Sequence, residues 1–172
     1  MSTLVARVSV TQAGWHRMLP ATERTVARAV RAAASGARYR KSALVDVHLA
    51  DDRMLRRLNR QHRGKDAPTN VLSFPLGAAI PGRARRVHLG DIVVALGTVR
   101  REARAQGKRP ADHAAHMLVH GTLHLLGYDH STRRDAAAME RLEKRILAGL
   151  GIADPYRAPE LASGAARGRP AP

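Results

Sequence analysis

Cysteine is absent from this chain. Its absence excludes disulfide staples and thiolate metal sites, so any bound metal must be held by histidine and carboxylate. Aromatic residues are nearly as scarce, with one Trp, one Phe and three Tyr making up 3% of the sequence. A platform that reads single strands by stacking bases on several exposed rings is therefore not expected. Long apolar runs are missing too, and the longest falls far short of the roughly 18 residues that a membrane span requires. Arg7 interrupts the first apolar stretch, so the N-terminus lacks the basic-then-apolar pattern of a signal peptide. These absences lead to the expectation of a soluble, cytoplasmic protein without membrane association.

Positive charge is what the chain has in excess. Lys and Arg outnumber Asp and Glu by 30 to 14, for a formal net charge of +16. A field of that sign attracts polyanions, of which RNA and DNA are the commonest. Arginine outnumbers lysine 26 to 4 and alanine is abundant, so a biased genome composition is a competing source of the same charge. With so few rings, an RNA partner would be held mainly by its phosphates. The length of 172 residues, 44% of them hydrophobic, suits one domain with a sizeable core.

Periodicity predicts strands over residues 4–10 and 43–49, where Val8 and Val10, then Val45, Val47 and Leu49, alternate with their neighbours. A basic, alanine-rich helix is predicted from about residue 19 to 34, with Gly36 placed to end it. Asp51 or Asp52 should cap a short helix carrying Met54, Leu55 and Leu58. A short strand is expected over residues 71–74 between Pro68 and Pro75, then a turn-rich basic connection over 77–86. The last strand, residues 87–95, has Gly90 and Asp91 inside it as a bulge signal. Helices are predicted at about 98–106, 110–126 and 133–150, the last with Met139, Leu142, Ile146 and Leu150 as a core stripe. The expected class is α+β: a single domain over residues 1–157, with a small mixed sheet of about four strands and about five helices. Ala, Gly, Arg and Pro dominate residues 158–172, which read as a disordered tail.

Five of the nine histidines fall between His113 and His130. His113, His116, His120 and His124 are spaced three, four and four apart, which puts them on one helical face. The sharpest unit is His120-Gly-Thr-Leu-His124-Leu-Leu-Gly127-Tyr-Asp-His130. Two histidines one turn apart can present ring nitrogens to one ion, and Gly127 lets the chain leave the helix in a left-handed turn that returns His130 as a third ligand. Three protein ligands leave a tetrahedral position open, the mark of a catalytic rather than a structural zinc. The spacing matches the metzincin protease signature at every metal position and at the glycine. Where those proteases carry their general-base glutamate, this chain has Gly121, so the usual peptidase base is missing. His116 is open to three readings: orienting a ligand, touching substrate or playing a structural part. His113 reads as surface or structural. Asp129 could accept a ligand's N–H or cap a turn.

A second stretch, Asn-Arg-Gln-His-Arg-Gly-Lys-Asp-Ala-Pro-Thr-Asn-Val-Leu-Ser-Phe from Asn59, places Arg63, Lys65 and Asp66 around a glycine. Such a loop can offer a guanidinium to phosphate bidentately, with a lysine as a second charge, though a solvated basic turn has the same composition. Together with Leu-Gly-Asp-Ile from Leu89, the histidine segment from His116, the last helix and Asp154-Pro-Tyr156, this stretch resembles the YbeY-type endoribonucleases, also called rRNA maturation factors. The resemblance runs from near the start of the chain to about Tyr156.

The resemblance implies a zinc-dependent endoribonuclease, specific for single strands, that acts in maturation of rRNA, notably the 3′ end of small-subunit rRNA, and in ribosome quality control. It implies zinc ligands at His120, His124 and His130 and a functional arginine at Arg63. It also implies partners among rRNA and the small ribosomal subunit or its assembly factors. His116, Asp129 and Lys65 are candidates for supporting a ligand or contacting RNA. Nickel or another divalent ion would suit three imidazoles as well as zinc. Two rival readings stand beside this one: a zinc peptidase with an unconventional base, and a non-catalytic ribosome-assembly factor whose metal is structural.

Overall fold

A computed structural model describes residues 3–79 and 86–158. The described elements run β1 (Leu4–Val10), α1 (Gly14–Met18), α2 (Thr22–Gly36), β2 (Ser42–Ala50), α3 (Asp52–Arg63), β3 (Val71–Ala79), β4 (Arg86–Ala95), α4 (Leu96–Ala105), α5 (Pro110–Leu125) and α6 (Arg133–Gly149). The strands form one mixed sheet in the order β1-β2-β4-β3. β1, β2 and β4 are mutually parallel, and β3 pairs antiparallel with β4 at the edge. This is the α+β arrangement that the sequence predicts. None of the described helices is long and apolar enough to cross a membrane.

The two faces of the sheet are covered unequally. Val45, Val47, Leu49, Ile92 and Val94 join the main core, to which α2, α5 and α6 contribute Val26, Val30, Leu118, Leu123, Met139 and Leu147. Ala50, Leu72, Val93 and Ala95 belong to a smaller cluster completed by Leu55 of α3. Successive side chains of a strand point to opposite faces, so β4 feeds both clusters and reads as an unbroken apolar run at its end. The α3 layer is anchored at both acids: Asp51 accepts the Met54 N–H at 2.9 Å as its cap, while Asp52 accepts the Thr98 N–H at 2.8 Å and caps α4 instead.

Several boundaries differ from expectation for identifiable reasons. The first long helix begins at Thr22 rather than about residue 19, and the short α1 precedes it as a sixth helix. Pro20 separates them, because a residue before proline is pushed out of the helical region, and Leu19 sits at φ −119°, ψ 87°. Gly36 does not end α2 by a left-handed turn; Arg38 adopts the positive φ, at 56°. Gly36 is the last helical residue, and a Cβ there would lie 2.4 Å from Ile146 Cγ1, so its role is to let α2 approach α6. β3 continues past Phe74 through Pro75 to Ala79, which an edge strand tolerates. It thus takes up the start of the predicted connection, of which residues 80–85 lie outside the described residues. Residues 159–172, nearly all of the predicted tail, also lie outside them.

The predicted bulge in β4 is present. Leu44 pairs with His88 and Val45 with Gly90, leaving Leu89 as the extra residue. Gly90 has φ +138°, and a Cβ there would sit 2.1 Å from the Phe74 carbonyl oxygen of β3. Both the backbone angle and the space demand glycine. Gly90→Ala should therefore lower stability by about 3 kcal/mol. The measurement is the urea unfolding midpoint, and an unchanged midpoint would contradict the assigned strain.

Candidate metal centre

α5 carries the histidines, and it starts where its sequence says it should, with Pro110 in the first helical turn. The helix lies close against the sheet at Gly121. A Cβ at that position would meet Ile92 Cγ2 at 3.0 Å and Ser73 Oγ at 3.1 Å, and the Ser73 hydroxyl donates to the Gly121 carbonyl at 3.1 Å. Position 121 thus faces the sheet, and a side chain there would need the Ile92 and Ser73 side chains to give by a few tenths of an ångström.

The helix ends in a Schellman turn. Tyr128 N–H donates to the Leu123 carbonyl and Gly127 N–H to the His124 carbonyl, each at 3.0 Å. Gly127 takes φ +95°, and a Cβ there would meet nothing within 4 Å, so the angle alone requires glycine. Asp129 then accepts the backbone N–H groups of His130 at 2.6 Å and Ser131 at 3.1 Å. It shapes the turn and does not bond a histidine ring. The result brings His130 back beside the helix, its ring centroid 4.9 Å from that of His124 and 5.7 Å from that of His120.

One ring nitrogen from each of His120, His124 and His130 lies within 4.8 Å of the others. Their hydrogen bonds decide which nitrogen is available. His124 Nδ1–H donates to the Tyr128 carbonyl at 2.9 Å, and His120 Nδ1–H donates to Glu143 Oε1 at 2.5 Å. Both Nε2 atoms are left with lone pairs, and these face one another at 3.0 Å. Burial, reinforced by the neighbouring His120 and His130, holds the His124 pKa down and favours the neutral imidazole. Two opposed lone pairs repel unless a cation lies between them, so the donor set fits a metal ion bound through Nε2.

Glu143 of α6 organises this end of the molecule. It is fully buried, with Oε2 accepting from His116 Nε2–H at 3.1 Å and from the Tyr156 hydroxyl. Burial alone would raise its pKa, but the hydrogen bonds from His116, His120 and Tyr156 outweigh that and bring it down to about 2. The Tyr156 phenol is pushed up by burial and by this carboxylate. Sequence reasoning missed both residues. The available signal was positional: Glu143 lies on the same face of α6 as Met139, Leu142 and Ile146, a carboxylate inside an apolar stripe.

A cleft of about 380 Å³ opens over the three histidines and is lined on its other side by Arg63, Asn70 and Ser73, among others. Arg63 is the last residue of α3, which Gly64 ends with φ +67°. The Arg63 side chain is exposed and makes no hydrogen bond or ion pair with another described residue. Lys65 does not line this cleft. Asp66 pairs with Arg56 at 2.9 Å and braces the loop. His116 is buried behind Glu143, and His113 is buried against Glu102 at 2.7 Å, so the four-histidine face divides into two rings at the cleft and two behind it.

The family model described as Endoribonuclease YbeY matches residues 10–151. The chain belongs to this family. It is 52% identical over 147 residues to the endoribonuclease YbeY of Alkalilimnicola ehrlichii, covering 85% of this chain and 87% of that protein. It is 48% identical over 153 residues to the endoribonuclease YbeY of Azorhizobium caulinodans, covering 88% of this chain and 96% of the relative. A Thermotoga maritima protein known from its solution structure shares the fold, with a TM-score of 0.52 at 22% identity, over 86% of this chain and 92% of that one. The matched segment contains the histidines, Arg63 and Glu143, and stops short of Tyr156.

If Glu143 orients His120, then Glu143→Gln, which replaces an acceptor oxygen with a donor, should weaken zinc binding by about 10- to 100-fold. Competition against a chromophoric chelator measures this, and wild-type affinity would contradict the role.

Proposed function

We propose that this chain is a metal-dependent endoribonuclease specific for single-stranded RNA, acting in rRNA maturation, notably at the 3′ end of small-subunit rRNA, and in ribosome quality control. The observation that carries the reading is the shared cleft, in which an unpaired guanidinium at Arg63 faces the imidazoles of His120, His124 and His130. The reaction named for the relatives and the net charge of +16 support it. The catalytic domain in this reading spans residues 1–157. Its setting is the cytoplasm, and its partners are rRNA and the small ribosomal subunit or its assembly factors.

In this reading His120, His124 and His130 hold one zinc ion, with nickel an alternative occupant of the same donor set. When bound, such an ion supplies Lewis acidity toward phosphoryl oxygen and water. Arg63 binds the scissile phosphate, its planar fork spanning two oxygens and neutralising charge that develops there. Glu143 and the Tyr128 carbonyl keep Nδ1 protonated on His120 and His124, so that Nε2 points into the cleft. His116 positions Glu143, Asp129 fixes the turn that carries His130, and Lys65 contacts RNA phosphate outside the cleft. Either water or the substrate's own 2′-hydroxyl attacks phosphorus; a 2′,3′-cyclic phosphate on the product would select the second.

One observation favours a second reading. β3 is an edge strand beside the histidines, and an open strand edge is a surface to which an extended peptide can add. The lack of a base at position 121, where Gly121 packs closely on the sheet, weighs against a peptidase.

Incubation of the zinc-loaded protein with single-stranded RNA and, separately, with casein at defined salt should give RNA cleavage alone. Casein cleavage would favour the peptidase, and cleavage of neither would favour a non-catalytic assembly factor. His124→Ala should lose zinc and RNA cleavage together; full zinc retention by elemental analysis would refute the ligand assignment. Arg63→Ala should keep its zinc while kcat falls on the order of 10²-fold, and unchanged turnover would remove Arg63 from the mechanism.

A further inference from the structure

A second cavity, of about 290 Å³, shares His120 and His130 with the cleft but takes its other walls from α6 and the C-terminal segment. Its chemistry is opposite. The cleft has Arg63 and no carboxylate, whereas this cavity has no cation and is lined by Ala136, Met139, Glu140, Glu143 and Tyr156. Glu143 is consumed by its hydrogen bonds. Glu140 is exposed and makes no hydrogen bond or ion pair with another described residue.

Tyr156 is one of two large hydrophobic side chains exposed among the described residues, with 43% of its surface open. Its ring is held firmly for a surface group. The hydroxyl is fixed by Glu143, the ring of His116 meets it edge-on at 5.4 Å, and Lys144 Nζ lies 5.7 Å from its centroid. A rigid aromatic beside two metal-facing histidines is a surface for a planar group. Lys144 is paired with Asp154 at 3.6 Å and does not line the cavity, whose own lining is acidic and so favours a neutral planar group with N–H donors over phosphate.

We propose that this cavity binds the nucleobase adjoining the scissile phosphate, packed against Tyr156 over Met139 and Ala136, and that Glu140 selects guanine. Guanine offers two adjacent N–H donors on its Watson–Crick edge, which match the two oxygens of one carboxylate. That edge is free only in an unpaired base, so the pocket itself discriminates against duplex. The inference rests on the endoribonuclease reading and adds a base-specific subsite to it. Sparse aromatic content is no obstacle, because one base needs one ring.

The test uses full-length, zinc-loaded protein on oligouridine, on oligouridine with one central guanosine, and on the same oligomer with an abasic unit at that place. Wild type should cut beside the guanosine with kcat/KM about tenfold above oligouridine, and the abasic unit should abolish the preference. Glu140→Gln should lose the guanosine preference while retaining zinc. Ala136→Phe, which fills the cavity, should weaken binding of a 2′-O-methylated guanosine-containing oligomer about tenfold at unchanged zinc content. Should Ala136→Phe fail to fold, the exposed Glu140→Gln carries the test alone. Wild type that cuts RNA without regard to guanosine, or a Glu140→Gln protein with the wild-type preference, overturns the subsite and leaves the endoribonuclease reading standing. Wild type that cuts no RNA overturns both.

Discussion

A fully buried carboxylate is costly unless its oxygens find donors, and Glu143 gathers its three only because separate parts of the chain converge on it. α5 supplies His116 and His120, α6 carries the acid, and the C-terminal segment brings Tyr156. Oε1 has His120 as its donor, so loss of that ring leaves a charged oxygen unpaired in the interior, while Oε2 shares His116 and Tyr156. The same network that satisfies the acid commits the His120 Nδ1 proton and so exposes Nε2. Packing of α6 on α5 and the availability of His120 Nε2 are therefore one structural fact.

The second constraint acts on the opposite side of α5. Gly121 brings the helix against Ile92 and Ser73, which sets the depth of the cleft between the histidines and the β3 edge. A side chain at this position would press on those of Ile92 and Ser73. The departure from the protease signature thus removes a base and lets the helix lie close to the sheet at the same position. The bulge at Leu89 and Gly90 serves the same fit, since Gly90 lets the Phe74 carbonyl of β3 pass close to β4.

Legible in the sequence is whatever depends on local geometry. The four-residue spacing of His120 and His124 and the glycine three residues later specify a helix end and a returning chain, and the Schellman hydrogen bonds at Leu123 and His124 realise it. Pro20 is equally local, and its effect on Leu19 outweighs the alanine periodicity that would start the helix earlier. Gly36 departs from expectation for a different reason. A glycine at a helix end looks the same in sequence whether it is needed for its angle or for its size, and here Ile146, far along the chain on α6, decides. Glu143 is hidden by the ordinary habit of glutamate on helix surfaces; only its neighbours in the apolar stripe mark it as internal. Arg63 can be nominated from its loop, but its place across the cleft from the histidines depends on how α3 and α5 lie about the sheet.

Charge separates capture from selection in this molecule. The excess of arginine gives a field that draws any polyanion, and such attraction carries no sequence information and weakens with salt. Close to the reacting position the balance is different. Burial holds the His124 pKa down, and the buried Glu143 is compensated by hydrogen bonds from His116, His120 and Tyr156. Arg63 is the cation that the cleft itself provides, and the adjoining cavity provides none. Phosphate is therefore favoured on one side of His120 and His130 and disfavoured on the other. In the proposed reading, a strand lying across the centre turns its backbone toward Arg63 and a base toward Tyr156, so the sign of charge on either side orients it before any base is recognised.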